Sequence, residues 1–105
     1  MENEDVPGYE ALRAALEGCY DQAARGKGEN RHAVDGSTWL EQPIFSIPSI
    51  LQDPKGFHLG QAIKKIQESV RLSNEQAKAE LRGAVVYLCA AIVERSKPVG
   101  DKLPD

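Results

Sequence analysis

The longest helical pattern in the sequence covers residues 73–97, and it limits the folds open to this chain. Ser73 suits an N-cap position, and Gln76 follows at the spacing of a capping box. Apolar residues recur at helical spacing in two adjacent stripes, which are Ala77, Leu81, Ala84, Val85, Leu88 and Ile92, and then Val86, Cys89 and Val93. A helix that is apolar around so much of its circumference is buried by neighbours on more than one side. The pattern therefore predicts a central helix that ends near Lys97 and Pro98.

Further helical segments make the predicted fold all-α, a small helical bundle of three main helices plus a short helix. The first helix is expected at about residues 7–25, with an apolar face made by Tyr9, Leu12, Leu16, Cys19, Tyr20 and Ala23. Gly18 weakens this helix by about 1 kcal/mol relative to Ala, but it permits close contact with another helix. Pro43 and Pro48 are expected to break up the next apolar segment and leave a short helix at about residues 47–52.

The third helix, when the short helix is counted as the second, is expected from about residue 57, after a turn at residues 54–56. Its apolar face is Leu59, Ile63, Ile66 and Val70. The break at residues 72–74 is long enough only for a hairpin, so the third and fourth helices should pack antiparallel. Residues 1–105 are expected to form one domain, with flexible tails at 1–6 and 98–105.

Composition and charge indicate a soluble protein and disfavour two classes of function. The formal net charge of −3 argues against a general nucleic-acid binder, which usually has a basic domain. No apolar run approaches the roughly 20 residues that span a bilayer. The acidic segment at residues 1–10 is also unlike a signal peptide. We therefore expect a cytoplasmic protein that does not enter membranes.

The two cysteines, Cys19 and Cys89, each lie on the apolar side of a predicted helix. The expected state is two reduced thiols in the core, where cysteine behaves as a small hydrophobic residue. A disulfide between the first and last helices and a reactive thiol are the alternatives, and a cytoplasmic location disfavours the disulfide.

The segment most suggestive of binding is a glycine-rich basic loop at residues 26–40. Accessible backbone N–H groups near glycine, combined with cationic side chains, favour an anion such as phosphate. The candidate ligand-binding residues are Lys27, Gly28, Arg31, His32, Lys64, Lys65 and Trp39. The alternative is a solvated basic turn. Trp39 has two interpretations, a platform for a ring or an anchor that folds the loop end onto the core.

Catalytic and metal-binding patterns are weak in this sequence. His32 and His58 have no carboxylate or cysteine at ligand spacing, so we expect no metal site and no cofactor. His58, at the start of the predicted third helix, is expected to be a surface or capping residue. No serine has an obvious general base, and the chain is expected not to be an enzyme.

The segment at residues 78–88, KAELRGAVVYL, resembles the helix of MazG-like nucleotide pyrophosphohydrolases that carries an E-x-x-D pair before an apolar run. Glu80 matches the glutamate, but Gly83 stands at the position of the aspartate. The preceding helix in that family carries three glutamates, whereas this chain offers only Glu68 there. A divalent ion needs several convergent oxygens, so the resemblance implies an incomplete magnesium site.

A second resemblance spans most of the chain. GKG at residues 26–28, RHA at 31–33, QPI at 42–44, GQAIKKIQE at 60–68, and EL, GA and YL at 80–81, 83–84 and 87–88 resemble small uncharacterised proteins of phages and prophages. Small phage proteins are often accessory factors that act in nucleotide metabolism or block host defence. The resemblance implies an accessory protein in the host cytoplasm.

Three functional hypotheses follow. The first is a binding protein for a phosphorylated, nucleotide-like ligand held by the basic loop, with a role against host defence. The second is an inhibitor of a host defence complex, similar to anti-CRISPR proteins, that would bind through the loop or through the acidic residues Glu2, Glu4, Asp5, Glu10, Glu17 and Asp21. The third is a degenerate pyrophosphohydrolase. Small residues at 83–91 also predict a homodimer, because they let helices approach closely.

Overall fold

The computed structural model describes residues 5–26 and 38–96, and every regular element in these ranges is helical. The main elements are α1 (Glu10–Arg25), α2 (Pro43–Leu51), α3 (Pro54–Ser69) and α4 (Asn74–Ser96), with a short 3₁₀ helix (Trp39–Glu41) before α2. The predicted all-α bundle is confirmed. None of the helices in the described part of the chain is long and apolar enough to cross a membrane.

Helix α4 lies at the centre of the bundle and contacts α1, α2 and α3, as predicted. At its start, the Ser73 hydroxyl accepts a hydrogen bond from the N–H of Gln76 at 3.3 Å. Helices α3 and α4 form the predicted antiparallel hairpin. Lys65 lies beside Glu80, and His58, earlier in α3, lies beside Tyr87, later in α4.

Helix α1 also packs antiparallel to α4. The Gln22 side-chain N–H donates to the carbonyl of Ala79 at 3.0 Å, and the side chain of Arg82 lies across Gly18. A Cβ atom at Gly18 would be 3.4 Å from Nε of Arg82, so the glycine gives the close helix contact that its position predicts. Small and polar residues thus form the side of α1 that faces α4.

Prolines mark the beginnings of α2 and α3, where they had been expected to interrupt helices or form a turn. Pro43 and Pro54 each occupy the first turn of a helix, where the fixed φ of proline fits and its missing N–H has no cost. Asp53 caps α3 by accepting the N–H of Gly56 at 3.1 Å. The predicted starts at residues 47 and 57 were therefore wrong.

The core consists mainly of small side chains. Within residues 5–26 and 38–96, the buried residues are Cys19, Phe45, Pro48, His58, Ala62, Ser69, Ala84, Ala90 and Ala91. His58 is completely buried, so its predicted surface position was wrong. Cys19 is buried as expected, but Cys89 is exposed, and both thiols are free.

Most of the large apolar residues predicted to form the core are exposed instead. Their exposed fractions lie between 39 and 80%. They are Tyr9, Leu12, Leu16 and Tyr20 on α1 and its N-cap, Leu59, Ile63, Ile66 and Val70 on α3 and its C-cap, and Leu81, Leu88 and Ile92 on α4. The reason is that α1 and α3 approach α4 along rows of small residues. The sides of the helices that carry large residues therefore turn outward.

Candidate functional site

The proposed anion site is only partly within the described residues. Lys27, Gly28, Arg31 and His32 lie outside them, whereas Trp39, Lys64 and Lys65 lie inside. The convergence of the basic loop with the two lysines of α3 therefore stays a prediction.

The two neighbouring lysines of α3 have different surroundings. The Lys64 ammonium is exposed and lies 3.9 Å from the Glu68 carboxylate one turn later. Lys65 is more buried and reaches α4, where its Nζ is 3.5 Å from Oε1 of Glu80 and 6.0 Å from the centre of the Tyr87 ring. The charge of Lys65 is therefore used to join α3 to α4, and the two ammonium groups do not converge.

Gly83 makes room for this lysine. A Cβ atom at Gly83 would be 3.0 Å from Cδ of Lys65, which is tighter than an ordinary van der Waals contact. The aliphatic part of the Lys65 side chain therefore packs over Gly83, the position that holds an aspartate in MazG-like enzymes. The ammonium group of the same lysine pairs with Glu80. Among residues 5–26 and 38–96, no three His, Cys, Asp or Glu side chains are grouped to hold a metal ion.

Trp39 is the first member of a chain of aromatic contacts. Its ring meets Phe45 edge to face at 4.9 Å, and Phe45 meets His58 at 5.6 Å. Phe57 contacts both His58 and Tyr87, at 5.8 and 6.1 Å. Burial raises the pKa of the Tyr87 phenol above its usual value. Trp39 thus anchors the end of the loop to the core, which is the packing interpretation of its role.

His58 holds α2 to α3 through a specific hydrogen bond. Its Nε2–H donates to the carbonyl oxygen of Ile44 at 2.7 Å, and this donation assigns the proton to Nε2 because a carbonyl can only accept. The buried Nδ1 of the same ring has no hydrogen-bond partner among the described residues. Sequence patterns missed this role because a histidine at a helix start is more often exposed.

A second candidate site lies on α1 and was predicted as core. Tyr9, Leu12, Leu16 and Tyr20, which we call the α1 stripe, are 49–63% exposed. Leu16 and Tyr20 are each two residues from Gly18, which faces α4, and two residues correspond to about 200° around a helix. The α1 stripe therefore lies on the side of α1 opposite α4. A groove of about 630 Å³ follows the stripe and is bordered by Asp5, Arg13 and Glu17. Asp5 and Arg13 form an ion pair at 2.9 Å.

No protein-family model, curated protein or solved structure matches the chain.

Proposed function

We propose that the protein is a non-enzymatic accessory protein that binds another protein through the α1 stripe. The observation that carries this proposal is the outward position of Tyr9, Leu12, Leu16 and Tyr20 along one helix. Soluble proteins rarely leave a continuous row of large apolar residues without a binding role. The row has the spacing of an amphipathic helix that lies in an apolar groove of its partner.

Residue types and charge define the partner that would fit. Tyrosine is enriched among the residues that dominate binding energy at protein interfaces, and Tyr9 and Tyr20 lie at the two ends of the stripe. Helix α1 and the residues just before it carry four acidic side chains and two basic ones. Both basic side chains form ion pairs, Arg13 with Asp5 and Arg25 with Asp21. Glu10 and Glu17 then leave an acidic border. The partner would present an apolar groove with a basic rim.

The resemblance to phage proteins favours a host protein as this partner, and a component of a host defence complex is the specific form of the proposal. The other candidate, a phosphorylated nucleotide-like ligand at the basic loop, draws on Lys27, Arg31, His32, Lys64 and Lys65. It receives less support from the described residues, because Glu80 already neutralises Lys65.

Binding by purified components tests the proposal. A host protein captured by the full chain would be identified, purified separately and mixed with the wild type, with Leu16→Glu and with Ile50→Glu. Ile50 is an exposed apolar residue on α2 and serves as the matched control. We expect a stoichiometric complex that Leu16→Glu weakens by roughly tenfold or more, since a carboxylate would be buried without a partner. Ile50→Glu should bind like the wild type.

Equal binding by Leu16→Glu and the wild type would exclude the α1 stripe as the binding surface. A parallel thermal-shift panel of nucleotides distinguishes the alternative. Stabilisation by a nucleotide that Arg31→Ala and Lys64→Ala abolish, with no host protein bound, would favour the phosphorylated-ligand hypothesis.

A further inference from the structure

The α3–α4 hairpin carries two matched rows of apolar residues on its outer surface. Two contacts join the facing sides of the hairpin, Lys65 of α3 with Glu80 of α4 and His58 of α3 with Tyr87 of α4. At helical spacing, the buried residues Ala62 and Ser69 lie on the same side of α3, and Ala84 and Ala91 lie on the same side of α4. The residue after each of these is apolar. The resulting rows are Leu59, Ile63, Ile66 and Val70 on α3, and Leu81, Val85, Leu88 and Ile92 on α4.

The two rows lie side by side on one face of the hairpin. One step along an α-helix turns the side chain by about 100°. When two antiparallel helices are viewed from one end, one helix turns clockwise and the other turns anticlockwise as the residue number increases. The residues that follow the facing positions in α3 and in α4 therefore point to the same side of the hairpin. We call these eight residues the hairpin face. It contains no charged or polar side chain.

Seven of the eight side chains in the hairpin face are well exposed. Val70 is 80% exposed, Ile63 and Ile92 are each 63% exposed, and Leu59, Ile66, Leu81 and Leu88 are 39–47% exposed. Together they present on the order of 600 Å² of apolar surface, which approaches the ~800 Å² per partner of a standard interface. Soluble monomers seldom expose a patch larger than this.

We infer that a second copy of the chain covers the hairpin face and that the two hairpins form a four-helix bundle. Both rows alternate steps of four and three residues, the spacing of helices that pack in a bundle with another pair of the same kind. A copy related by a two-fold axis brings the same uncharged face with the same spacing.

This dimer differs from the one that small residues at 83–91 predict. Ala84, Ala90 and Ala91 are buried within the chain, and Gly83 is covered by the stem of Lys65. Those small residues bring α1 and α3 close to α4, so they are not available to a second copy. The surface left for self-association is the row of larger residues beside them.

Light scattering and sedimentation of the full chain test the inference. We expect a mass of twice the 11.5 kDa chain at micromolar concentration. Ile63→Glu and Ile92→Glu should each weaken self-association by roughly tenfold or more, because each places a carboxylate in an apolar contact. Ile50→Glu, at an exposed position outside the face, should remain a dimer. The melting temperature of the wild type should also rise with protein concentration.

Ile63→Ala serves as a second variant where Ile63→Glu fails to fold, and it should give a measurably weaker dimer with retained helical circular dichroism. A wild type that is monomeric at all concentrations would overturn the inference and assign the face to other residues of the chain or to a foreign protein. A dimer unchanged by Ile63→Ala, Ile63→Glu and Ile92→Glu would overturn it as well. The inference is independent of the α1 proposal, since Leu16→Glu should leave the mass unchanged.

Discussion

His58 of α3 fills the hydrogen-bonding place that Pro48 leaves empty in α2. In a regular helix the carbonyl of Ile44 would accept the N–H of residue 48, but proline has none. The Nε2–H of His58 donates to that carbonyl instead, at 2.7 Å. The proline inside α2 is therefore tolerated because a side chain from the next helix supplies the missing donor.

The first prediction concerns this bond. His58→Phe keeps an aromatic ring but leaves the Ile44 carbonyl without its donor, and we expect it to lower the free energy of unfolding by about 1–3 kcal/mol. Adding Pro48→Ala restores a backbone N–H at position 48, so the double variant should lose less stability than His58→Phe alone. Urea unfolding of the four proteins measures this coupling. Additive effects would show that His58 does not compensate for Pro48.

The second prediction concerns Gly83. In a helix, Gly→Ala usually stabilises by about 1 kcal/mol. Gly60 in α3 has open space where a Cβ would lie, so Gly60→Ala should gain this amount. Gly83→Ala should gain less or lose stability, because its Cβ would lie 3.0 Å from Cδ of Lys65. In a Lys65→Ala background, Gly83→Ala should recover the gain. Equal gains at both glycines in the wild type would contradict the crowding.

The third prediction is a loss of stability at alkaline pH. Burial raises the pKa of Tyr87, so its phenol ionises at lower pH in the unfolded chain than in the folded protein. Its contribution is then fully present below about pH 10 and is lost as the pH rises through the folded pKa. Tyr87→Phe should flatten the decline above pH 10 in chemical unfolding. Tyr20→Phe, on the exposed α1 stripe, is the control and should not.

The fourth prediction concerns the two thiols. Cys19 is buried, and burial together with the nearby Cys89 raises its pKa, whereas Cys89 is exposed. Because the thiolate is the reactive form, iodoacetamide should modify Cys89 well before Cys19 in the native protein. Peptide mapping over time measures the two rates, and unfolding in urea should make them similar. Equal rates in the native state would contradict the burial of Cys19.

Helix positions follow from local chemistry, and the sequence indicated most of them. The period of residues 73–97, the Ser73 cap and the short break before it predicted α4 and its antiparallel hairpin with α3, because these depend on neighbours along the chain. The starts of α2 and α3 were missed because Pro43 and Pro54 can either break a helix or begin one. Asp53 directly before Pro54 is a helix-start signal that was overlooked in favour of a turn.

The candidate sites depended on tertiary packing. The sequence does not distinguish the roles of Lys64 and Lys65, which are adjacent lysines on the same predicted helix. Only the packing of α4 against α3 pairs Lys65 with Glu80 and places its side chain over Gly83. The anion-binding role of Lys27, Gly28, Arg31 and His32 stays a prediction, because these residues lie outside the described ranges.

The sequence by itself determined that the described part of the chain is helical and that its central helix is the one that the structure places at Asn74–Ser96. Periodicity identifies a stripe of apolar residues, but it does not identify what the stripe packs against. Only the tertiary structure decided that the alanines at positions 84, 90 and 91 of α4 are buried, whereas Leu81, Leu88 and Ile92 point outward. The physical reason is that rows of small side chains let helices approach most closely. The rows of larger apolar residues beside them are then left exposed.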